Sequence, residues 1–258
     1  MIEGLDLDDK SILVTGGGRG IGRGITHAFL EASAKVTVCG RREPEALPRA
    51  GGNTASFVQT DVRDPSAVEA MIDQVVSETG GLDVLINNAG GAPFAEAATA
   101  SPRFSEKVIQ LNLTAALHCS QQANRVMQGQ PSGGSIINVA SVSGLRPSPG
   151  TAAYGAAKAG LLNLTTSLAV EWAPKVRVNA IAAGLILTEQ AHLHYGDDAG
   201  VARVADTIPM GRLGTPEDIA GACLFFASGF ASYVTGAHLV LHGGGETPAF
   251  LDAAKGRG

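Results

Sequence analysis

The sequence predicts a doubly wound α/β fold, with one seven-stranded, mainly parallel sheet and helices on both faces. Three observations predict it. Short β-branched runs alternate with longer helical stretches along all 258 residues, the rhythm that builds a parallel sheet through crossover helices. Several strand runs are apolar throughout instead of alternating, as expected of strands covered on both faces. One strand runs straight into a glycine cluster and then a helix, the local pattern of an open α/β sheet. A chain of this length can bury one sizeable core, so a single domain over 1–258 is expected, with a lid at 185–210 and a weakly patterned tail at 246–258.

The elements follow in order. "SILVT" (11–15), "KVTVCG" (35–40), "ASFVQTDV" (55–62), "LDVLINNAG" (82–90), "GSIINVAS" (134–141), "VRVNAIAAG" (176–184) and "AHLVLHGG" (237–244) read as strands. Helical stretches lie near 21–33, 65–79, 102–128, 151–172 and 216–228. Pro65, Pro102 and Pro216 suit first helical positions, with Asp64, Ser101 and Thr215 before them as N-caps. Thr215 and Asp218 have the spacing of a capping box. The segment "LILTEQAHLHYGDDAGVARVADTIPM" (185–210) breaks the rhythm, which is why a lid is placed there.

Composition narrows the function classes. A net charge of −5 with no basic stripe argues against a nucleic-acid partner. No apolar run reaches the ~18–20 residues of a membrane span, and "MIEGLDLDDK" is acidic without the apolar core of a signal peptide. Cys39, Cys119 and Cys223 are odd in number and form no C-x-x-C, pointing to a reduced, cytoplasmic protein. His192 and His194 make an H-x-H without acidic or thiol partners nearby, so no metal is expected.

Where "SILVT" meets "GGGRGIG", glycines permit a tight turn and a helix N-terminus offers free N–H groups to phosphate. The spacing is T-G-x-x-x-G-x-G, through Thr15, Gly16, Gly20 and Gly22. About twenty residues on, a dinucleotide fold places the residue that reads the adenosine ribose. Here that strand ends "CGRRE". No carboxylate stands at its tip; Arg41 does, with Arg42 next and Arg19 in the glycine loop. Guanidinium forks match a 2′-phosphate, so NADP(H) is favoured. Glu43 nearby serves either cofactor and leaves NAD(H) open.

"TAAYGAAKAG" (151–160) places one of only three tyrosines four residues before one of only six lysines. On a helix, positions i and i+4 share a face. Shifting a phenol by about three pKa units takes roughly 4 kcal/mol. A cation about 4 Å away at an effective dielectric near 20 supplies energy of that order. Tyr154 is thus a candidate acid/base and Lys158 its tuner.

Taken together, these residues resemble the short-chain dehydrogenase/reductase family in its single-domain form, a Rossmann fold, over nearly the whole chain. "TGGGRGIG" is similar to the family's cofactor loop, and Asp61-Val62 sits where the family contacts adenine. "NNAG" (87–90), with Asn88, Ala89 and Gly90, ends the fourth strand. Asn112 in "QLNLTAAL" holds the place of the family's structural and relay asparagine, and Ser141 lies thirteen residues before Tyr154. "VRVNAIAAG", with Gly184, Ile186 and Thr188, resembles the nicotinamide-holding segment. "GRLGTPEDIA" and "YVTGAHLVLHGG" are similar to the C-terminal core. Two departures stand out: Ala183 replaces the usual proline, and His242 the usual aspartate.

The resemblance implies catalytic roles for Asn112, Ser141, Tyr154 and Lys158. It implies cofactor contacts from Thr15, Gly16, Arg19, Gly20, Ile21, Gly22, Arg41, Arg42, Asp61, Val62, Asn88, Ala89, Gly90, Tyr154, Lys158, Gly184, Ile186 and Thr188. The implied activity is hydride transfer between NADP(H) and a small-molecule carbonyl or secondary alcohol. The segments 91–94, 142–146 and 185–210 would wall the substrate. They are mostly small and apolar (Pro93, Phe94, Leu145, Leu185, Leu187), with polarity from Arg146, His192, His194 and Tyr195, so a ketoreductase of a medium-sized apolar substrate is expected. A 3-oxoacyl-thioester reductase is the specific alternative. A non-catalytic cofactor-binding regulator or scaffold is the alternative of another class, against which the intact Asn112, Ser141, Tyr154 and Lys158 argue. The resemblance also implies a homotetramer, built through the helices near 102–128 and 151–172 and through the last helix and strand. An apolar stripe of Leu161, Leu164 and Leu168 is consistent with such packing, and core packing within one subunit would look the same.

Overall fold

The computed structural model describes residues 7–248 and 250, with Leu193 and His194 as backbone only. The described strands are β1 (Ser11–Thr15), β2 (Lys35–Gly40), β3 (Arg49–Ala50), β4 (Asn53–Thr54), β5 (Ser56–Gln59), β6 (Val84–Asn87), β7 (Gly134–Ser141), β8 (Val176–Ala183) and β9 (His238–Leu241). Seven of them form one sheet in the order β5-β2-β1-β6-β7-β8-β9. Every pairing in that sheet is parallel, so the expected "mainly parallel" sheet is wholly so. Chain order reverses between β1 and β6, which opens a crevice beyond the carboxyl ends of these strands.

Burial follows the strand pattern. Ile12 and Val14 of β1 enter one apolar layer and Leu13 the other, as an unbroken apolar run demands. The first layer is closed by α1 (Gly20–Glu31) through Ile25 and Phe29, and by α8 (Pro216–Ala227) through Ile219 and Phe226. The second is closed by α2 (Pro65–Thr79) and by two later helices, α4 (Ala115–Gly129) and α5 (Ala152–Trp172). Leu161 and Leu168 of α5 are buried in the chain's own core, with Leu164 packed beside them. That stripe therefore serves the subunit interior, the second of the two readings that its spacing allows.

The helix starts are as the sequence indicates. Asp64 accepts from the amide of Ser66 at 2.9 Å, and Ser101 accepts from Phe104 at 3.2 Å at the start of α3 (Pro102–Ile109). Both halves of the capping box are present: Thr215 N–H donates to Asp218 at 2.7 Å and Asp218 N–H to Thr215 at 3.4 Å. Arg212 and then the Thr215 amide hold the Asp218 carboxyl down at about 2.

Three features differ from expectation. The helix expected at 102–128 is divided by a π turn, Gln110–Thr114, that carries Asn112; such insertions interrupt the i→i−4 ladder and often mark functional positions. A small antiparallel hairpin joins β3 to β4 around Gly51 and Gly52, whose φ of 59° and 82° suit glycine; the Gly-Gly pair was its signal. The segment 185–210 contains α6 (His192–Tyr195) and α7 (Asp198–Ala205), the latter capped by Asp197 on Gly200 at 2.9 Å. Of the tail expected at 246–258, residue 249 and residues 251–258 lie outside the described residues.

Candidate active site

The turn after β1 is shaped by close approach. A Cβ on Gly22 would stand 2.3 Å from the Gly16 carbonyl oxygen and 2.5 Å from Asn88 Nδ2. Gly16 itself has φ of 66°, a conformation glycine adopts at no steric cost. "NNAG" braces this turn from the neighbouring strand end. Asn88 Nδ2 donates to the Thr15 carbonyl at 2.9 Å, while the amides of Asn88 and Ala89 donate to Thr15 Oγ1 at 3.0 Å each. Asn87 does a different task, donating to Asn138 Oδ1 at 2.8 Å and Ser120 Oγ at 2.9 Å within the core. The result presents the N-terminus of α1 to the crevice.

That crevice has a volume of about 710 Å³, within the range of cofactor sites. It runs from Arg41, Arg42, Asp61 and Val62, past Gly16, Arg19, Gly20, Ile21 and Gly22, beside Asn88, Ala89 and Gly90. It ends at Ser141, Tyr154, Lys158, Gly184, Ile186 and Thr188. Thr15 and Asn112 do not line it and act from behind. The glycine cradle, the exposed helix N-terminus and the guanidinium groups at one end fit a dinucleotide. Arg63 was not anticipated. It grips the Asp61 carboxylate through Nε at 2.9 Å and Nη2 at 2.5 Å. This Arg63 contact is the main cause of the lowered Asp61 pKa, with Arg41 contributing. The Asp-x-Arg proximity is visible in "DVR", but the pairing of the two side chains is not.

At the other end, α5 carries Tyr154 and Lys158 on one face. Its small residues admit the turn at 142–144: a Cβ on Gly155 would lie 2.8 Å from the Ser143 carbonyl oxygen. The missing bulk brings α5 onto the serine-bearing turn. Ser141 Oγ accepts from the Ser143 amide at 3.2 Å. Lys158 is buried, with Nζ donating to the Val139 carbonyl at 2.8 Å and lying 5.7 Å from the centre of the Tyr154 ring. Asn112 is committed to backbone: Oδ1 accepts from Gly91 N–H at 2.8 Å, and Nδ2 donates to Gly91 and Val108 carbonyls at 2.9 Å each.

The electrostatics differ from the expected tuning of phenol by ammonium. Burial raises the Tyr154 pKa, and the Ser141 hydroxyl opposes it. Burial also lowers Lys158 to about 8. The geometry accords with this: the ammonium is turned to the Val139 carbonyl at 2.8 Å, and burial makes it give up its proton more readily than an exposed lysine does. Linkage fixes the sign of the consequence. Between about 8 and the ordinary 10.5 the unfolded chain holds the lysine proton and the folded chain does not, so stability rises with pH across that window. The melting temperature of wild type relative to Lys158→Met should therefore climb between pH 8 and 10. A flat or falling difference would contradict a buried lysine of lowered pKa.

The expected substrate wall is only partly assembled here. Gly91 and Tyr195 line the crevice. Burial first, then the nearby Tyr154, raises the Tyr195 pKa. Pro93 instead faces a small cavity of about 90 Å³ with Phe104, Val108 and Tyr154. Phe94, Leu145 and Leu187 are 72%, 52% and 45% exposed. Arg146 pairs with Glu246, linking the 142–146 turn to the segment after β9. His192 is exposed, and the side chain of His194 lies outside the described residues. Among the described residues no group of three metal-ligating side chains occurs, and no helix is long and apolar enough to cross a membrane. Ala183 lines the crevice, and His242 packs against the adjoining turn: a Cβ on Gly184 would lie 2.6 Å from His242 Cβ.

The chain is similar to known proteins in sequence and in fold. Residues 16–246 match the protein family described as enoyl-(acyl carrier protein) reductase. The chain is 38% identical to the 3α-hydroxysteroid dehydrogenase of Mediterraneibacter gnavus, over 92% of this chain and 97% of that protein. It is also 38% identical to a 3-oxoacyl-(acyl-carrier-protein) reductase of Chlamydia pneumoniae, over 93% and 98% respectively. The solved structure of Thermoplasma acidophilum aldohexose dehydrogenase superposes with a TM-score of 0.87 at 31% identity, covering 93% of this chain and 95% of that one. The chain belongs to the short-chain dehydrogenase/reductase family, oxidoreductases that use nicotinamide cofactors on small-molecule carbonyls and alcohols.

Proposed function

We propose that this oxidoreductase is an NADP(H)-dependent ketoreductase of a medium-sized apolar carbonyl compound. The single observation that carries the cofactor choice is the set of guanidinium groups at the adenosine end. Arg41 and Arg42 line the crevice at the tip of β2, and the carboxylate that lines it at this end, Asp61, is held by Arg63. A 2′-phosphate finds donors there, and a bare ribose hydroxyl finds no free carboxylate among the residues that line this end. When bound, the cofactor supplies the hydride. Tyr154, kept protonated by burial, holds the proton for the carbonyl oxygen. Ser141 donates to that oxygen as charge develops on it. Lys158 holds the nicotinamide ribose end. The Asn112 amide positions Gly90 and Gly91 against Lys158, and a relay water at Asn112 would use its main chain within the π turn.

The apolar surfaces of Phe94, Leu145 and Leu187 support an apolar substrate. The likeness to a 3-oxoacyl-(acyl-carrier-protein) reductase supports a second reading, a 3-oxoacyl-thioester substrate. The three free, buried cysteines fit a reducing compartment such as the cytoplasm, with Cys39 pushed up to about 12 by burial. Exposed apolar residues support the homotetramer through the last helix and strand: Phe225 on α8, Leu239 and Val240 on β9, and Phe230 and Tyr233 between them.

The cofactor reading is tested by binding. NADPH should bind at least about tenfold more tightly than NADH, and Arg41→Ala should weaken NADPH by roughly ten- to a hundredfold, the scale of a charge-assisted contact. NADH affinity should stay within about twofold. Equal affinities, unmoved by the substitution, would remove NADP(H) preference. NADPH oxidation across apolar ketones and β-ketoacyl thioesters separates the two substrate readings.

A further inference from the structure

We propose that Glu189 is a built-in competitor for the cofactor's pyrophosphate, holding the segment 185–210 on the glycine turn until a dinucleotide displaces it. The inference starts from what α1 lacks. Arg19, its N-cap residue, is extended and provides no side-chain cap, and the first turn holds no acidic residue. A helix start in that state has free N–H groups and a positive end that attract an anion. The group that answers comes from 169 residues away: Glu189 Oε1 accepts from the Gly20 amide at 2.8 Å. Glu189 is exposed, so packing does not force the carboxylate there. Its neighbour Thr188 lies over the same spot, with Cγ2 3.7 Å from the position a Cβ on Gly20 would take. Both residues line the crevice.

A pyrophosphate seated on this helix start needs the same N–H group, and two anions do not share one donor at hydrogen-bond distance. Dinucleotide binding and Glu189 release are therefore coupled. The apparent affinity is reduced by the fraction of molecules in which the carboxylate occupies the turn. The segment that walls the substrate thereby leaves the glycine turn when the cofactor arrives, which favours binding of cofactor before substrate. Glu189 acts through the segment it belongs to, as a positioning residue.

The inference rests on the crevice being the dinucleotide site, and the probes are chosen to keep it apart from the NADP(H) reading. ADP-ribose carries the pyrophosphate but neither nicotinamide nor 2′-phosphate; adenosine carries no phosphate. By titration calorimetry, Glu189→Ala should tighten ADP-ribose binding about tenfold, the worth of one charge-assisted hydrogen bond. Glu189→Gln, which keeps the shape and loses the charge, should tighten it about threefold and serves if the alanine variant folds poorly. Adenosine, followed by ligand-observed NMR, should bind all three proteins alike. ADP-ribose affinity that is unchanged or weaker in both variants overturns the inference. So does an equal gain for adenosine, which would mean a generally loosened segment. Failure of the NADP(H) reading shows separately, as equal NADPH and NADH affinities in the wild-type protein.

Discussion

Tyr154→Phe should lower kcat by about a thousandfold, within the range a positioned general acid contributes, while leaving NADPH affinity within about twofold of wild type. The expectation follows from position. The Tyr154 hydroxyl stands beside Ser141 at the inner end of the crevice, and burial keeps it protonated. Phenylalanine retains the ring that Lys158 faces and removes only the transferable proton. Single-turnover reduction, followed at 340 nm, reads the chemical step, and fluorescence titration of NADPH reads binding. Retention of turnover by the phenylalanine enzyme would strip Tyr154 of the acid role. A parallel collapse of NADPH binding would instead mark it as a structural member of the crevice.

Gly22→Ala should both destabilise the protein and weaken dinucleotide binding. The new methyl would fall 2.3 Å from the Gly16 carbonyl oxygen and 2.5 Å from Asn88 Nδ2. Neither is the end of a flexible chain: one is backbone, and the other is tied to the Thr15 carbonyl. Overpacking of this kind costs about 1–3 kcal/mol, which for a chain of this size lowers the melting temperature by roughly 2–10 °C. The displaced turn carries the start of α1, so ADP-ribose affinity should fall by about a hundredfold, two contacts' worth. Gly221→Ala is the control. It lies on α8 with nothing within 4 Å of the new Cβ, and exchanging helical glycine for alanine should stabilise by about 0.5–1 kcal/mol. If Gly22→Ala melts and binds as wild type does, the close-packed turn is not what shapes this site.

The elements that could be read from residues alone share one property: their causes lie within a few positions of chain. Asp64, Ser101 and Thr215 cap the helices that begin beside them. The apolar run of β1 is buried on both faces. The spacing of Tyr154 and Lys158 puts them on one helical face, and the glycine turn follows its strand. Period, propensity and capping act at this range, so a linear string of residues encodes them. The hairpin around Gly51 and Gly52 has an equally local cause, the Gly-Gly pair with positive φ.

What required the folded chain depends on contacts between distant segments. Lys158 turns to the Val139 carbonyl, so burial rather than its charge dominates the tyrosine. Leu161 and Leu168 face the subunit's own core, which an apolar stripe cannot distinguish from an interface. The side-chain amide of Asn112, on the π turn, bonds to Gly91, 21 residues away. Glu189 reaches Gly20 across 169 residues. No periodicity carries such information, because the partner is chosen by where two elements come to rest after the sheet has closed. Local chemistry wrote the order of strands, turns and helix starts; the direction in which each charged group points was settled only when remote parts of the chain met.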